Sequence, residues 1–355
     1  MKHKIIYLIT LIALLYPLYA QNAISAYPYM AYSSETKLMG GAFSFFRYEL
    51  DREEPAESSR DISVLANTIY SQKHQFLFVI IPQYRTENWK LSSSMTFQDW
   101  PDTFYGTGNA TLDSAAEDYT SRRYAAETVL SRDLPRNLDL SLKLTQGWHE
   151  VRKSSVGSAL QSSELLGLEP GFYSGVGYGL AYDSTDEGYY PEKGVKLEWR
   201  QLFYDAAFGS DYDYSEAQYD LRVYQKISPI SVLAFQSDLI MHHGDLPFFN
   251  YPELGKRLRA YDSKRYIDKA RISQRIESRI FPFNGGFTRR LGFVLFAETG
   301  QVAANVPDIR LKDWHTSLGG GLRFSILPKE KLNLRADIGF GKGSVNFIVN
   351  AREVF

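Results

Sequence analysis

Asn137–Glu150 reads NLDLSLKLTQGWHE. Leu138, Leu140, Leu142 and Leu144 fall on one face of an extended chain, and Asp139, Ser141, Lys143 and Thr145 fall on the other, because successive side chains of a strand point to opposite sides. Leucines against charges and hydroxyls suit a wall with lipid outside and a polar interior. The same alternation returns at Met39–Tyr48, Asp61–Tyr70, Val195–Tyr204, Gln218–Lys226, Ser231–His242, Leu291–Val302 and Leu332–Phe340. The fold class expected is therefore all-β, a transmembrane antiparallel β-barrel.

The connections support this. Short ones carry Pro, Gly or charge, as at 134–136, 228–229 and 328–331, and longer polar ones span 100–119, 151–172, 244–266 and 303–314. Short turns alternating with long loops are what a barrel with both chain ends on the periplasmic side requires. With a first strand at 24–32, this reading predicts about 16 strands, an even number as in bacterial outer-membrane barrels. The last stretch, SVNFIVNAREVF at 344–355, places Val345, Phe347, Val349, Ala351 and Phe355 on one alternating face, interrupted by Glu353. A terminal aromatic closing such a strand resembles an outer-membrane sorting signal, with Phe355 as the sorting residue.

At the other end, Lys2 and Lys4 precede the apolar run Ile5–Leu15, and Pro17, Tyr19 and Ala20 end it. That order is a secretory signal peptide at 1–20, cleaved near Ala20. The run is too short for a spanning helix. Residues 21–355 are then one barrel domain. Zero cysteines exclude disulfides and thiolate chemistry. A net charge of -1 gives nucleic acid no foothold. A mean hydropathy of -0.30 is compatible with a barrel, since half of each strand faces a polar lumen. Aromatics at 15%, with 25 Tyr and 22 Phe, would furnish girdles at both membrane interfaces.

One constellation goes beyond architecture. Residues 176–199 read VGYGLAYDSTDEGYYPEKGVKLEW, and Asp183, Asp186, Pro191 and Gly194 resemble the D-x-R-D…P-x-x-G hairpin of the Omp85 superfamily, the BamA/TamA-like surface antigen D15 barrels. Thr185 stands where that family usually has Arg. Leu258, Arg259, Ala260 and Tyr261 are similar to the family's V-R-G-F/Y motif at the tip of the sixth loop. QRIESR at 274–279 and LFAETG at 295–300 resemble the two strand motifs that follow, and PDTFYGTGN at 101–109 is similar to a segment of short members. The resemblance implies an inward-folded sixth loop, and the chain is expected to be a short form that departs from BamA and TamA in lacking periplasmic POTRA domains. An arginine inside a barrel needs its charge paired, and a planar guanidinium can bridge two carboxylates. Glu277 and Glu298 are the partners expected for Arg259. Two departures stand out. Ala260 replaces Gly, so a tip needing φ > 0 would be strained, and Glu298 replaces the usual Asp.

Chemistry finds no comparable anchor. The mature histidines are His74, His149, His242, His243 and His315, and no GxSxG signature accompanies them. Adjacent His242 and His243 point to opposite sides of a strand. Asp211, Asp213 and Glu216 lack EF-hand spacing and read as a solvated outer loop. Gly319–Gly321 lies within a strand pattern and reads as room for a bend or for the lid. We expect no catalytic residue, no metal and no cofactor: not an enzyme. By resemblance, the chain assists protein (or lipid) insertion or translocation at the Gram-negative outer membrane. Its expected partners are membrane lipid, a periplasmic assembly protein and unfolded outer-membrane clients. The alternative is a passive transport channel or structural barrel that has lost assembly activity.

Overall fold

The computed structural model describes residues 24–33, 35–50, 60–154, 159–186, 190–327, 332–351 and 353–355. The expected signal peptide and its cleavage point near Ala20 lie outside the described residues.

Sixteen strands follow one another along the chain: β1 Ile24–Ser33, β2 Lys37–Glu49, β3 Asp61–Ser71, β4 Phe76–Arg85, β5 Trp89–Phe104, β6 Glu117–Leu134, β7 Leu138–Ser154 and β8 Gly171–Asp183. The second half comprises β9 Gly194–Tyr204, β10 Tyr214–Ser228, β11 Ser231–Gly244, β12 Ala270–Ile280, β13 Leu291–Ala303, β14 His315–Leu327, β15 Leu332–Gly341 and β16 Ser344–Ala351. Each pairs antiparallel with its sequence neighbours, and β1 meets β16 to close the barrel. Closure is the barrel's answer to strand edges that lipid cannot hydrogen-bond, although at this junction the ladder among the described residues is short. No described helix is long and apolar enough to cross a membrane.

The diagnostic segment lies on β7 as read: Leu142 is 58% exposed on the outer wall, while Lys143 turns inward and pairs with Glu127 at 2.7 Å. Pairing of β7 with β6 places Trp148 opposite Tyr124 on the lipid side, and His149 stacks on Phe249 inside. The outer half of the lumen is filled by a cluster including Phe104, Tyr119, Tyr173, Tyr204, Phe248 and Phe249.

The end of the chain departs from expectation. β16 stops at Ala351, and the segment after it turns into the lumen instead of continuing the outer face. Val345 and Phe347 do face outward. Phe355 is buried beside Tyr224 and Ala234, and its carbonyl accepts from Arg279 Nη2 at 2.8 Å. Glu353 reaches Arg323 Nε at 2.7 Å and Asn333 at 3.0 Å. The Glu353 carboxylate finds a buried cation inside, and the alternation breaks there.

Candidate functional site: a lid arginine in a charged lumen, and a short seam

The connection from β11 to β12, residues 245–269, is the sixth loop at the end of the barrel that carries the long loops. Its outer part inserts Phe248 and Phe249 into the aromatic cluster. Its tip packs Leu254, Leu258, Ala260, Tyr261 and Tyr266 against Val302 on β13. Arg259 is thereby carried to the inner wall, where it is 5% exposed.

There the guanidinium meets three carboxylates. Nη2 lies 2.7 Å from Glu277 on β12, Nε 2.7 Å from Glu298 on β13, and Nη1 3.1 Å from Asp337 on β15. The second Glu298 oxygen accepts the Arg259 backbone N–H at 2.5 Å. The longer arm of Glu at 298 thus holds side chain and backbone at once. The Phe296 ring lies 3.4 Å from the guanidinium carbon, a cation–π platform. Burial works against the charge of Arg259, but Glu277, Glu298 and Asp337 outweigh it, and the guanidinium holds its proton more firmly than a free arginine.

Three more arginines balance the site. Arg279 pairs with Glu277 at 2.9 Å, Arg323 with Asp337 at 2.6 Å and with Glu353 at 2.7 Å, and Arg335 with Asp337 at 2.8 Å. Within these ion pairs four arginines interleave with four carboxylates, as buried charges need if desolvation is not to expel them, and Arg275, across from Glu298, donates to Gln236.

Asp337 was not anticipated. It sits on the inward face of β15 with Arg335 and Gly339, in a strand whose alternation was legible, but nothing in the local sequence connects it to a loop 78 residues away. Gly339 is the other silent contributor: a Cβ there would lie 2.8 Å from the backbone of Arg259 and Ala260. The lid descends to the wall because β15 offers it a position without a side chain. Gly319 has a related role, since a Cβ on it would meet the Phe296 ring.

The expected strain at Ala260 is absent: it is not among the positive-φ residues, so alanine fits. Its N–H donates to Ser317 Oγ at 3.1 Å and its carbonyl accepts from Ser344 Oγ at 2.5 Å. Tyr261 bonds to Thr316, Lys342 and Asn346.

The hairpin motif occupies the connection from β8 to β9 at the opposite end. Asp183 accepts from the N–H and hydroxyl of Thr185, and Asp186 accepts from Glu192 N at 2.8 Å and Lys193 N at 3.2 Å. Gly194, at φ 112, would meet the Ser184 carbonyl with any Cβ, which explains glycine there. Thr185, in place of Arg, closes the turn locally. Pro191 precedes the two N–H groups that Asp186 collects by one and two positions. The PDTFYGTGN stretch also acquires a place: Asn109 exchanges hydrogen bonds with Val302 N and O, and Gly108 N donates to Ile267 O, fixing this loop over the lid.

Glu216, expected in an outer loop, belongs to β10 and bonds to buried His242 at 3.1 Å. His242 and His243 do face opposite ways, one buried and one exposed.

The closing junction differs from all the others. Among the described residues, β1 and β16 pair only at Tyr32–Val349 and Ser33–Ile348. On their other sides, β1 pairs with β2 from Ile24 to Ser33, and β16 with β15 from Ser344 to Ala351.

A closed sixteen-stranded antiparallel barrel with an arginine-tipped lid folded into its lumen is the architecture of an outer-membrane barrel. The Omp85 superfamily domain matches residues 59–340, and the chain belongs to that family. Its fold is similar to BamA from Haemophilus ducreyi lacking POTRA domains 1–3, with a TM-score of 0.63 at 15% identity over 94% of this chain and 70% of that one. It is also similar to CdiB from Escherichia coli, with a TM-score of 0.59 at 10% identity over 93% of this chain and 62% of that one. No curated protein matches by sequence. Family and fold place the chain in the Gram-negative outer membrane.

Proposed function

We propose that the protein assists insertion or translocation of polypeptides (or lipids) at the outer membrane, by parting β1 from β16. The observation that carries this reading is the two-position seam. A ladder that short is the least costly place to open a closed barrel, since each additional pair adds hydrogen bonds and cross-strand contacts. A partner in the periplasm and unfolded client barrels follow from the same reading. The lid argues against a wide diffusion pore, because the loop fills the lumen from Phe248 to Tyr266.

The test is the outer-membrane proteome of a deletion strain complemented with three forms: wild type, Arg259→Ala, and Tyr32→Cys with Val349→Cys. With no native cysteine, the introduced pair alone can lock the seam. The expected result is a defined set of surface proteins that falls on deletion, returns with wild type, and returns with the locked form only under reduction. An unchanged proteome on deletion overturns protein assembly. Large, steady single-channel conductance would instead support a channel.

A further inference from the structure

We propose that the lid loop clasps both strands of the seam at its outer end, with Glu35 as the proton-sensitive half of the clasp. This deepens the seam reading and rests on it.

The lid touches β16 and β1 separately. On the β16 side, Ala260 O accepts from Ser344 Oγ at 2.5 Å, Tyr261 O accepts from Asn346 Nδ2 at 3.4 Å, and Tyr261 Oη accepts from Lys342 N at 3.1 Å. On the β1 side, the turn leading from β1 into β2 carries Glu35, whose Oε2 accepts from Ser263 N at 3.2 Å. Ser263 lies two residues beyond Tyr261. One short stretch of lid therefore bridges the two strands directly above Tyr32 and Ser33, the positions where they pair. Because Arg259 anchors the same stretch to β12, β13 and β15, the clasp hangs from a fixed point on the wall.

The surroundings of Glu35 make this contact depend on charge. Asp102 faces it from β5, and Glu253 and Lys256 face it from the lid. Glu253 is already engaged by Lys256 at 3.0 Å and Lys264 at 2.7 Å, and by the Ser263 hydroxyl at 3.0 Å. A third carboxylate is therefore one negative charge more than the two lysines balance. Burial first, then Asp102 and Glu253, push the Glu35 carboxyl up to about 7, with Lys256 and the Ser263 N–H opposing. A carboxyl whose docked value exceeds its free value of 4.5 stabilises the docked state on the acid side. That contribution is lost as pH rises through about 7. Above it, ionised Glu35 is repelled by Asp102 and Glu253, and the β1 side of the clasp weakens while the β16 side, made of neutral groups and backbone, does not.

The experiment places nitroxide labels at Met30→Cys and Val345→Cys, both exposed on the outer wall at 53% and 61%, and measures their separation in nanodiscs from pH 5 to 9. Heat-modifiable migration first establishes that each barrel is closed and folded. The expected result is one short distance at pH 5 and a growing longer population, half-developed near pH 7. The open-to-closed ratio should rise by up to about tenfold per pH unit, as for one linked proton. Glu35→Gln keeps the short distance throughout, and Ser344→Ala with Asn346→Ala shows the longer one at every pH. A wild-type separation unchanged from pH 5 to 9, or a Glu35→Gln form opening with the same midpoint, overturns the proposal. Because this readout is seam geometry and not client delivery, a failed clasp and a failed assembly reading give different results.

Discussion

The two inner walls of this barrel are built on opposite principles. From β10 to β15 the lumen face carries Asp220, Asp238, Arg271, Glu277, Arg279, Arg323 and Asp337, all buried and all paired. From β2 to β4 it carries Phe43, Phe45, Leu65, Ile69, Leu77, Val79 and Ile81, none of them buried; Phe45 is 37% exposed. The inward sense of this second set follows from register. Phe78 pairs with Phe97, whose ring packs on Tyr124 at the lipid face, so Val79 points the other way, opposite Asn67. The charged wall is the one the lid covers, and charges survive burial there because each has a partner. The apolar wall lies beside the seam, and among the described residues it has no such cover. Ionic groups thus specify where the lid sits.

The comparison is broken most directly at Arg259. Its removal strands Glu277, Glu298 and Asp337 together, and truncating one member of a buried pair costs about 3–5 kcal/mol. Arg259→Ala should lower the unfolding midpoint in detergent accordingly. Arg259→Ala with Glu298→Ala should lose much less than the sum, because the two residues share a contact. Additive losses would show that the lid is not held by this pair.

Next in size is Gly339. Alanine there would place a Cβ 2.8 Å from the lid backbone, and overpacking of this kind costs about 1–3 kcal/mol. The readout is faster proteolysis within 255–266 together with a lowered midpoint. Gly339→Ala with wild-type protection would mean that the lid sits farther from β15.

How much of this was legible follows from the range of each signal. Strand identity on β7 and the hairpin Asp183–Gly194 are local, two-residue periodicity and turn chemistry, and could be read directly. Glu277 and Glu298 were reached through motifs in order. Asp337 and Gly339 were not, because an inward-facing acid or glycine on an alternating strand is ordinary until a distant loop is known to land on it. Phe355 misled for the converse reason: alternation placed it outward, but the cations of β12 and β14 draw the tail inside, and no pattern within 344–355 reports those cations. Ala260 misled because the strain inferred for it belonged to a backbone conformation this chain does not adopt.

The smallest effect tests the apolar wall. Val79→Ser alters a half-buried lumen residue with no packing partner from the lid, and such substitutions fall within about 0.5 kcal/mol. Its neighbour Phe78 faces lipid, where the hydrocarbon has no water to satisfy a hydroxyl, so Phe78→Ser should destabilise more, measured as the urea midpoint in vesicles. A one-residue register slip would exchange the two results, since it turns every side chain of the strand to the other face. If Val79→Ser proved the costlier change, the face of β3 and β4 that carries Leu65, Ile69 and Val79 would meet lipid and the contrast between the walls would collapse. If both were neutral, this edge would lie outside the hydrocarbon and the apolar wall would be facing the aqueous rim.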